Sequence, residues 1–184
     1  MAGQSRMAPR NEEPRPVVGN TIEIAATVTR PSNTTAYAAK DTVADETSGA
    51  TIINFPNAAM EANRGGYITG ATIMTDQVAN TAQFKLHLFH TTPTVLSDNV
   101  AMTAPLFADR AKYIGSITFP AVASEDASAG AAFAQATTTA EPQFPIPFVS
   151  ATADSDIYAM LETIDSFTPA SAQIFYIVLR VEQN

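Results

Sequence analysis

Apolar and polar residues alternate along much of the chain, which is the pattern of a β-strand with one buried face. In the run that begins at Val17, one face carries Ile22, Ile24, Ala26 and Val28, and the other carries Glu23, Thr27 and Thr29. Residues 84–88 and 157–162 alternate in the same way. The pattern therefore predicts that each of these runs forms a half-buried strand.

Further strands are predicted for residues 50–55, 67–75, 113–119, 144–149 and 172–182. The last of these alternates Ile174, Tyr176 and Val178 with Phe175, Ile177 and Leu179, so it is apolar on both faces. Such a strand lies at the centre of a sheet, or another subunit covers one of its faces. On the second interpretation, we expect a homodimer or homotrimer with Phe175, Ile177 and Leu179 at the interface between copies.

Turn-forming residues separate these segments, and helix-forming patterns are scarce. Turns are predicted at Gly65-Gly66, Gly70, residues 97–99, Gly115, residues 124–126 and residues 154–156. Only residues 57–62 and 105–112 have patterns that allow one or two helical turns. Residues 122–142 are rich in Ala, Ser and Thr and are expected to form a long exposed loop. About eight short strands predict an all-β fold, an antiparallel β-sandwich with a jelly roll as the first choice of topology.

The chain of 184 residues predicts one β-sandwich domain over residues 17–184, preceded by an extended arm at residues 1–16. The arm carries Arg6, Arg10 and Arg15 together with Pro14 and Pro16, and almost no large apolar side chain. It lacks the apolar surface that would offset the entropy cost of ordering, which favours a disordered tail. The alternative is an arm that becomes ordered on a partner surface, where the prolines lower that cost.

The composition excludes several classes of function. Charged residues make up 15% of the chain and the net charge is −8, so the overall charge does not attract nucleic acid or an anionic membrane. The absence of cysteine excludes disulfides, thiolate metal sites and cysteine nucleophiles. The longest apolar runs, such as residues 174–179, are too short to cross a membrane, and the first residues lack the apolar core of a signal peptide. We therefore expect synthesis in a cytoplasm.

Residues with catalytic or metal-binding chemistry are few. His87 and His90 are three residues apart, which on a strand places them on opposite sides, so each is expected to face solvent or an interface. Asp154 and Asp156 have the spacing of a carboxylate pair that binds metal, but the neighbouring ligands of an EF-hand loop are missing. An acidic turn is the simpler interpretation of this pair.

The common enzyme motifs are also missing from the sequence. No serine lies in a G-x-S-x-G turn, and Gly65, Gly66 and Gly70 match neither phosphate-binding fingerprint. A glycosidase stays open as an alternative, because its two carboxylates converge only in space. On balance we expect no enzyme activity, no catalytic residue, no cofactor and no bound metal.

Several short segments occur in an order that resembles small virion structural proteins of tailed bacteriophages. They are TRPSNTTAYAAKDTVAD at residues 29–45, GGYITGATIMTD at 65–76, FKLHLFHTTPT with SDNVA within 84–101, a run ending in YIGSITF at 109–119 and, more loosely, IYAMLET at 157–163. The resemblance rests on the order of these segments, since each is short. Lys40 departs from the glycine that we expect after the Tyr-Ala-Ala unit, so a turn with positive φ is not predicted there.

The resemblance implies a β-sandwich that decorates, or cements, the outer surface of an icosahedral phage head, without catalysis. Its expected partners are the major capsid protein and further copies of this chain at a capsid symmetry axis, with no nucleic acid and no membrane. Its expected location is the capsid surface of the virion, after synthesis in the host cytoplasm. Under this hypothesis Arg6, Arg10 and Arg15, with Pro14 and Pro16, bind neighbouring capsid subunits.

Three alternatives stay open. The first is another virion component, such as a head-fibre base or a tail protein, built on the same sandwich. The second is a carbohydrate-binding jelly-roll module or hydrolase, in which exposed Tyr37, Tyr67 or Phe107 would line a groove. The third is an intracellular β-sandwich whose partner the sequence does not identify.

Overall fold

The computed structural model describes residues 20–124, 134–138 and 144–184. Within these ranges the chain forms eleven strands and one 3-10 helix, at Phe107–Asp109. The strands are β1 (Asn20–Thr29), β2 (Thr42–Val43), β3 (Ile53–Phe55), β4 (Gly65–Thr75), β5 (Phe84–Phe89), β6 (Tyr113–Phe119), β7 (Ala123–Ser124), β8 (Ala134–Thr138), β9 (Ile146–Val149), β10 (Ile157–Thr163) and β11 (Ile174–Gln183). The predicted arm at residues 1–16, with Arg6, Arg10, Arg15, Pro14 and Pro16, lies outside the described residues.

Two antiparallel sheets pack face to face, which confirms the predicted β-sandwich. Sheet 1 has the order β1-β11-β4-β8-β7, and β9 pairs with β4 beyond the end of β8. Sheet 2 has the order β2-β10-β5-β6, and β3 pairs with β10 beside β2. Every pairing in both sheets is antiparallel.

The strand pairs are nested along the chain, as in a jelly roll. The outermost pair is β1 with β11, and inside it β2 and β3 pair with β10. Further inside, β4 pairs with β8 and β9, and the innermost pair is β5 with β6. A long antiparallel hairpin that is wound into two sheets has this nesting, which is the jelly-roll arrangement.

The core lies between the sheets and consists of the residues that the alternating pattern placed on one face of each strand. From sheet 2 it takes Phe84, Leu86 and Leu88 of β5, all fully buried. Rings from opposite sheets meet there, since the centroids of Phe84 and Phe175 are 5.2 Å apart in an edge-to-face arrangement. This contact between the two rings connects the sheets across the core.

The predicted interface between copies lies on the wrong face of β11. Phe175, Ile177 and Leu179 are fully buried and belong to the core. β11 is paired on both sides, by β1 and β4, and its inner face packs on sheet 2. Three residues that already fill the core of one copy are not available to a second copy, so any contact through this strand has to use its outer face.

Two further predictions about local structure are corrected. Residues 122–142 were expected to form an exposed loop, but they contain β7 and β8, and Ala136 of β8 is buried. Small residues that alternate weakly can still pair with a neighbouring strand, as β8 does with β4. Of the two expected helical segments, residues 105–112 contain the 3-10 helix, whereas residues 57–62 form turns.

No described helix has the length and apolar character needed to cross a membrane.

Lys40 adopts the positive φ that the sequence argued against, with a value of 68°. Its N–H donates to the carbonyl of Thr163 at 2.8 Å, and its own carbonyl accepts the N–H of Met102 at 2.7 Å. These bonds hold the backbone between β10 and the segment around Met102. They offset the cost of roughly 1–2 kcal/mol that a residue with a Cβ incurs in this conformation.

Candidate interaction surface

The outer face of sheet 1 exposes apolar side chains where a sandwich normally presents polar ones. Tyr176 of β11 is 42% exposed and Ile174, at the start of the same strand, is 39% exposed. Met74 of β4 is paired with Tyr176, and Val178 follows on β11; both are half-buried. We refer to these four residues, Met74, Ile174, Tyr176 and Val178, as the apolar face.

Charged residues lie at both ends of these strands, because the exposed Asp76 accepts the N–H of Ile174 at 3.0 Å. Arg180 and Glu23 form an exposed ion pair with an Nε–Oε1 distance of 2.9 Å. Glu182 pairs across the sheet with Tyr67, which is 41% exposed. The apolar face therefore lies between the Asp76 carboxylate and the Arg180–Glu23 ion pair. Its four side chains offer apolar contact area to a partner, provided that Asp76 at the border stays in water or gains a partner.

The outer side of sheet 2 is covered by the connection between β5 and β6, residues 90–112. Val100 accepts the N–H of Thr42 at 2.8 Å, and Lys112 accepts the N–H of His90 at 2.9 Å. Phe107, in the 3-10 helix of this connection, is 80% exposed, and the guanidinium of Arg110 lies 4.2 Å from its ring centroid. Among the described residues of this connection, Phe107 and Val100 are the exposed large apolar side chains.

His87 is buried beneath this cover and does not face solvent or an interface, contrary to the prediction. Its Nε2 lies 2.7 Å from the carboxylate of Glu162, and its Nδ1 lies 3.4 Å from the hydroxyl of Tyr113. Burial lowers the pKa of His87, although the hydrogen bond and the charge of Glu162 act to raise it. A neutral imidazole that donates from Nε2 satisfies both contacts, because a carboxylate only accepts. His90 lies beyond the end of β5, with Nε2 2.8 Å from the carbonyl of Ala111.

A second buried polar cluster joins the loops at one end of the sandwich. The side chains of Arg30 and Asp98 are fully buried and 3.1 Å apart. The hydroxyl of Tyr37 donates to the same carboxylate, and burial is the main cause of the raised pKa of Tyr37. Arg30 also donates to the carbonyl of Ala170 at 3.2 Å. Every member is closed off from solvent, so the cluster holds loops together and does not present a reactive group.

Asp154 and Asp156 form the acidic turn that was the simpler interpretation. Asp156 accepts hydrogen bonds from the N–H of Asn57 and the side chain of Asn54, both at 2.9 Å. Asp154 accepts one from the hydroxyl of Tyr158 at 3.0 Å. In residues 20–124, 134–138 and 144–184, no three His, Asp or Glu residues converge on a point where a metal ion could be held.

A cleft with a volume of about 530 Å³ lies between the start of β6 and the end of β9. Its lining residues include Tyr113, Phe148, His90, Thr91 and Ser150, and the Ser150 hydroxyl donates to the carbonyls of Glu61 and Arg64. None of its described lining residues is an Asp, Glu, Lys or Arg. The cleft is therefore a neutral, mixed surface of rings and hydroxyl groups.

The aromatic residues expected to line a carbohydrate groove are not brought together. Tyr37 is buried in the Arg30 cluster and stacks on Phe167, with ring centroids 4.9 Å apart. Tyr67 lies on the outer side of sheet 1, and Phe107 is at the tip above sheet 2. Neither lines the cleft between β6 and β9. Tyr113 was not predicted to line a groove, because its position at the start of an edge strand carries no local signal in the sequence.

No protein-family model matches the chain, and no curated protein sequence matches it.

Proposed function

We propose that this protein decorates the outer surface of a phage head and stabilises it by non-covalent contacts with the major capsid protein. The order of short segments between residues 29 and 119 supports this proposal, because it resembles virion structural proteins of tailed phages. A two-layer sandwich also suits the task. Its sheet presents a rigid face, so binding through that face costs little conformational entropy.

The apolar face is the observation that carries the proposal. Tyr176, Ile174, Met74 and Val178 lie on one side of sheet 1, away from the Arg180–Glu23 ion pair. Tyrosine gives a large contact area at low entropy cost and is enriched at protein interfaces. A weak contact of this kind becomes effective when a second attachment holds the protein on the same surface.

The arm supplies that second attachment under the proposal. Arg6, Arg10 and Arg15 would pair with carboxylates of neighbouring capsid subunits, while Pro14 and Pro16 keep the segment extended. The arm precedes β1, which lies in the same sheet as the apolar face. The two attachments would then act on one capsid surface.

The test measures binding to purified phage heads that lack the protein, taken from a phage whose genome encodes it. Removal of residues 1–16 and, separately, Tyr176→Ser are each expected to weaken binding about tenfold or more. Phe107→Ser is the matched control, because Phe107 is an exposed aromatic residue on the other side of the sandwich. Circular dichroism verifies that each variant keeps its fold. Undiminished binding by both the truncated protein and Tyr176→Ser would refute the proposal.

Position in the particle separates head decoration from the other virion roles. A cryo-electron microscopy map of the phage should show the sandwich on the outer surface of the head. Density for it at a head-fibre base or in the tail would replace this proposal with one of those alternatives.

Carbohydrate binding is the second candidate function, favoured by the neutral cleft between β6 and β9. Rings such as Tyr113 stack on sugar faces, and Thr91, which also lines the cleft, carries a hydroxyl that bonds to sugar hydroxyls without any charge. A glycan array tests it. Binding that is lost on Tyr113→Ala would support this function, and an array without any signal would remove it.

A further inference from the structure

β1 is an edge strand with a long row of unpaired backbone groups. In the part of the chain that the structure describes, only β11 pairs with it, over all ten residues and without a register shift. The N–H of Arg30, which follows β1, donates to Gln173 beside β11 at 3.0 Å. Because backbone groups alternate in direction along a strand, even-numbered residues of β1 bond to β11. The N–H and C=O groups of Thr21, Glu23, Ala25, Thr27 and Thr29 therefore face away from the sheet.

The other sheet edges in the described residues carry the features that natural proteins use to prevent pairing with another chain. β7 has two residues, and β2 and β3 have two and three. β9 contains Pro147 and follows Pro145. β6 has a register shift, since Phe89 pairs with Tyr113 and Leu88 with Gly115.

β1 has none of these features. It is ten residues long and contains no proline, no lysine and no glycine. Its one charged residue, Glu23, points to the outer side of the sheet and is paired with Arg180. A groove of about 130 Å³ runs along this part of the edge, and residues 26–28 line it together with Asp45 and residues 51–54.

We infer that the free edge of β1 pairs with β1 of a second copy, antiparallel, so that sheet 1 continues through a symmetric dimer. The two-fold axis places Ala25 opposite Ala25 of the second copy. This register aligns the odd-numbered residues of both strands, which are the ones with free backbone groups. It also keeps each side chain opposite one on the same side of the sheet.

The side chains of β1 match a second β1 in this register. Thr21 faces Thr29 of the other copy, and Glu23 faces Thr27, so no like charges are opposed. On the inner side Ile22 faces Val28 and Ile24 faces Ala26. Ile22 and Ile24 are only partly buried in one copy, and the added strand would cover them further. A register slid by four residues would place Glu23 opposite Glu23 and is disfavoured by the repulsion of the two carboxylates.

This inference specifies the self-association that the sequence predicted, and it depends neither on the proposed function nor on the capsid. It replaces the interface at Phe175, Ile177 and Leu179 with a backbone edge of the same sheet. All measurements below use the free full-length protein, so their outcome is independent of any result with phage heads.

The first test removes a free N–H of β1. Ala25→Pro deletes a donor that faces away from β11, so the bonds within the sheet are kept. Ala25→Val is the matched control, because it enlarges the side chain at the same position and retains the N–H. Sedimentation equilibrium should show a dimer for the unaltered protein and the control at micromolar concentration, and dimerisation weakened roughly tenfold or more for Ala25→Pro. A monomeric unaltered protein, or a proline variant that still dimerises equally well, would overturn the inference.

The second test determines the register in which the two β1 strands pair. It remains informative if the proline variant is unstable. Thr27→Glu places a carboxylate opposite Glu23 of the second copy, whereas Thr27→Lys places an ammonium group there. Two such pairs form in each dimer, so the dissociation constant should rise roughly two- to thirtyfold for the first variant and fall for the second. Thr27 is exposed in one copy, so both variants should keep the fold. Equal dissociation constants for the two variants would overturn the register.

Discussion

The guanidinium of Arg30 and the carboxylate of Asp98 lie 3.1 Å apart with neither side chain exposed to solvent. The pair connects the residue that follows β1 to the long connection over sheet 2. Asp98 also accepts the N–H of Ala44 at 3.0 Å, so its second oxygen is satisfied as well. A buried ion pair of this kind has little net effect on stability while it is complete, but breaking it leaves an uncompensated charge in the interior.

Arg30→Met should therefore lower the free energy of unfolding by about 3–5 kcal/mol, measured by urea denaturation. Arg180→Met is the matched control, because Arg180 forms an exposed pair with Glu23. We expect a loss of less than about 1 kcal/mol there. Equal losses at the two positions would show that Asp98 is not left as a buried charge.

His87 should make the protein sensitive to acid. Burial lowers the pKa of His87 in the folded state, so below the pKa of about 6.5 of the unfolded chain the unfolded state binds the proton more readily. The free energy of unfolding therefore has its full value above about pH 6.5. It falls on acidification, by up to roughly 1.4 kcal/mol per pH unit. Denaturation of His87→Asn between pH 7.5 and pH 5 should show a smaller loss than the unaltered protein.

Glu162→Gln serves as a companion to that experiment. It removes the carboxylate that acts to raise the pKa of His87 and retains an acceptor for Nε2. The pKa of His87 should fall further, and the acid-dependent loss should extend to lower pH. An identical pH dependence in the unaltered protein and in His87→Asn would contradict this account.

Lys40→Gly should stabilise the protein. Lys40 holds a φ of 68°, which costs a residue with a Cβ roughly 1–2 kcal/mol, and glycine avoids that cost but loses more backbone entropy on folding. We expect a net gain of up to about 1 kcal/mol in thermal or urea denaturation. Lys40→Ala separates the backbone effect from loss of the side chain, since alanine keeps the Cβ and should show no gain.

Gly66 is expected to tolerate no side chain. A Cβ at this position would lie 2.5 Å from the carbonyl oxygen of Glu182 and 3.0 Å from the ring of Phe148. Gly66→Ala must push β4 away from β11 or displace Phe148, so it should cost about 1–3 kcal/mol. Gly115→Ala is the control, because its Cβ would only touch Ile146 at 3.7 Å. A neutral effect at Gly66 would mean that the strands separate there without cost.

Local patterns were sufficient to predict most strands. β6 begins and ends where the alternation predicted, and β5, β10 and β11 differ from prediction by one or two residues. Bulky alternating residues carry this signal. β7 and β8 were missed because their mostly small side chains give little contrast between the two faces. Pairing decides their conformation, since β8 pairs with β4 and β7 pairs with β8.

The candidate surfaces were harder to predict. The apolar character of both faces of β11 was visible, but the alternation alone does not state which face meets sheet 2. The Arg30 cluster brings together residues 30, 37 and 98, which no local motif connects. His87 was placed correctly on the side of β5 away from the core, yet the connection at residues 90–112 buries it.

By itself the sequence determined that this chain forms a two-layer antiparallel sandwich, because side chains alternate along a strand whatever its neighbours are. Tertiary structure alone decided which face of β11 is core, which polar groups are buried, and which edge is left open at β1. Those outcomes depend on which strands become neighbours. That choice is made by contacts between residues far apart in the chain, where the period of the local pattern carries no information.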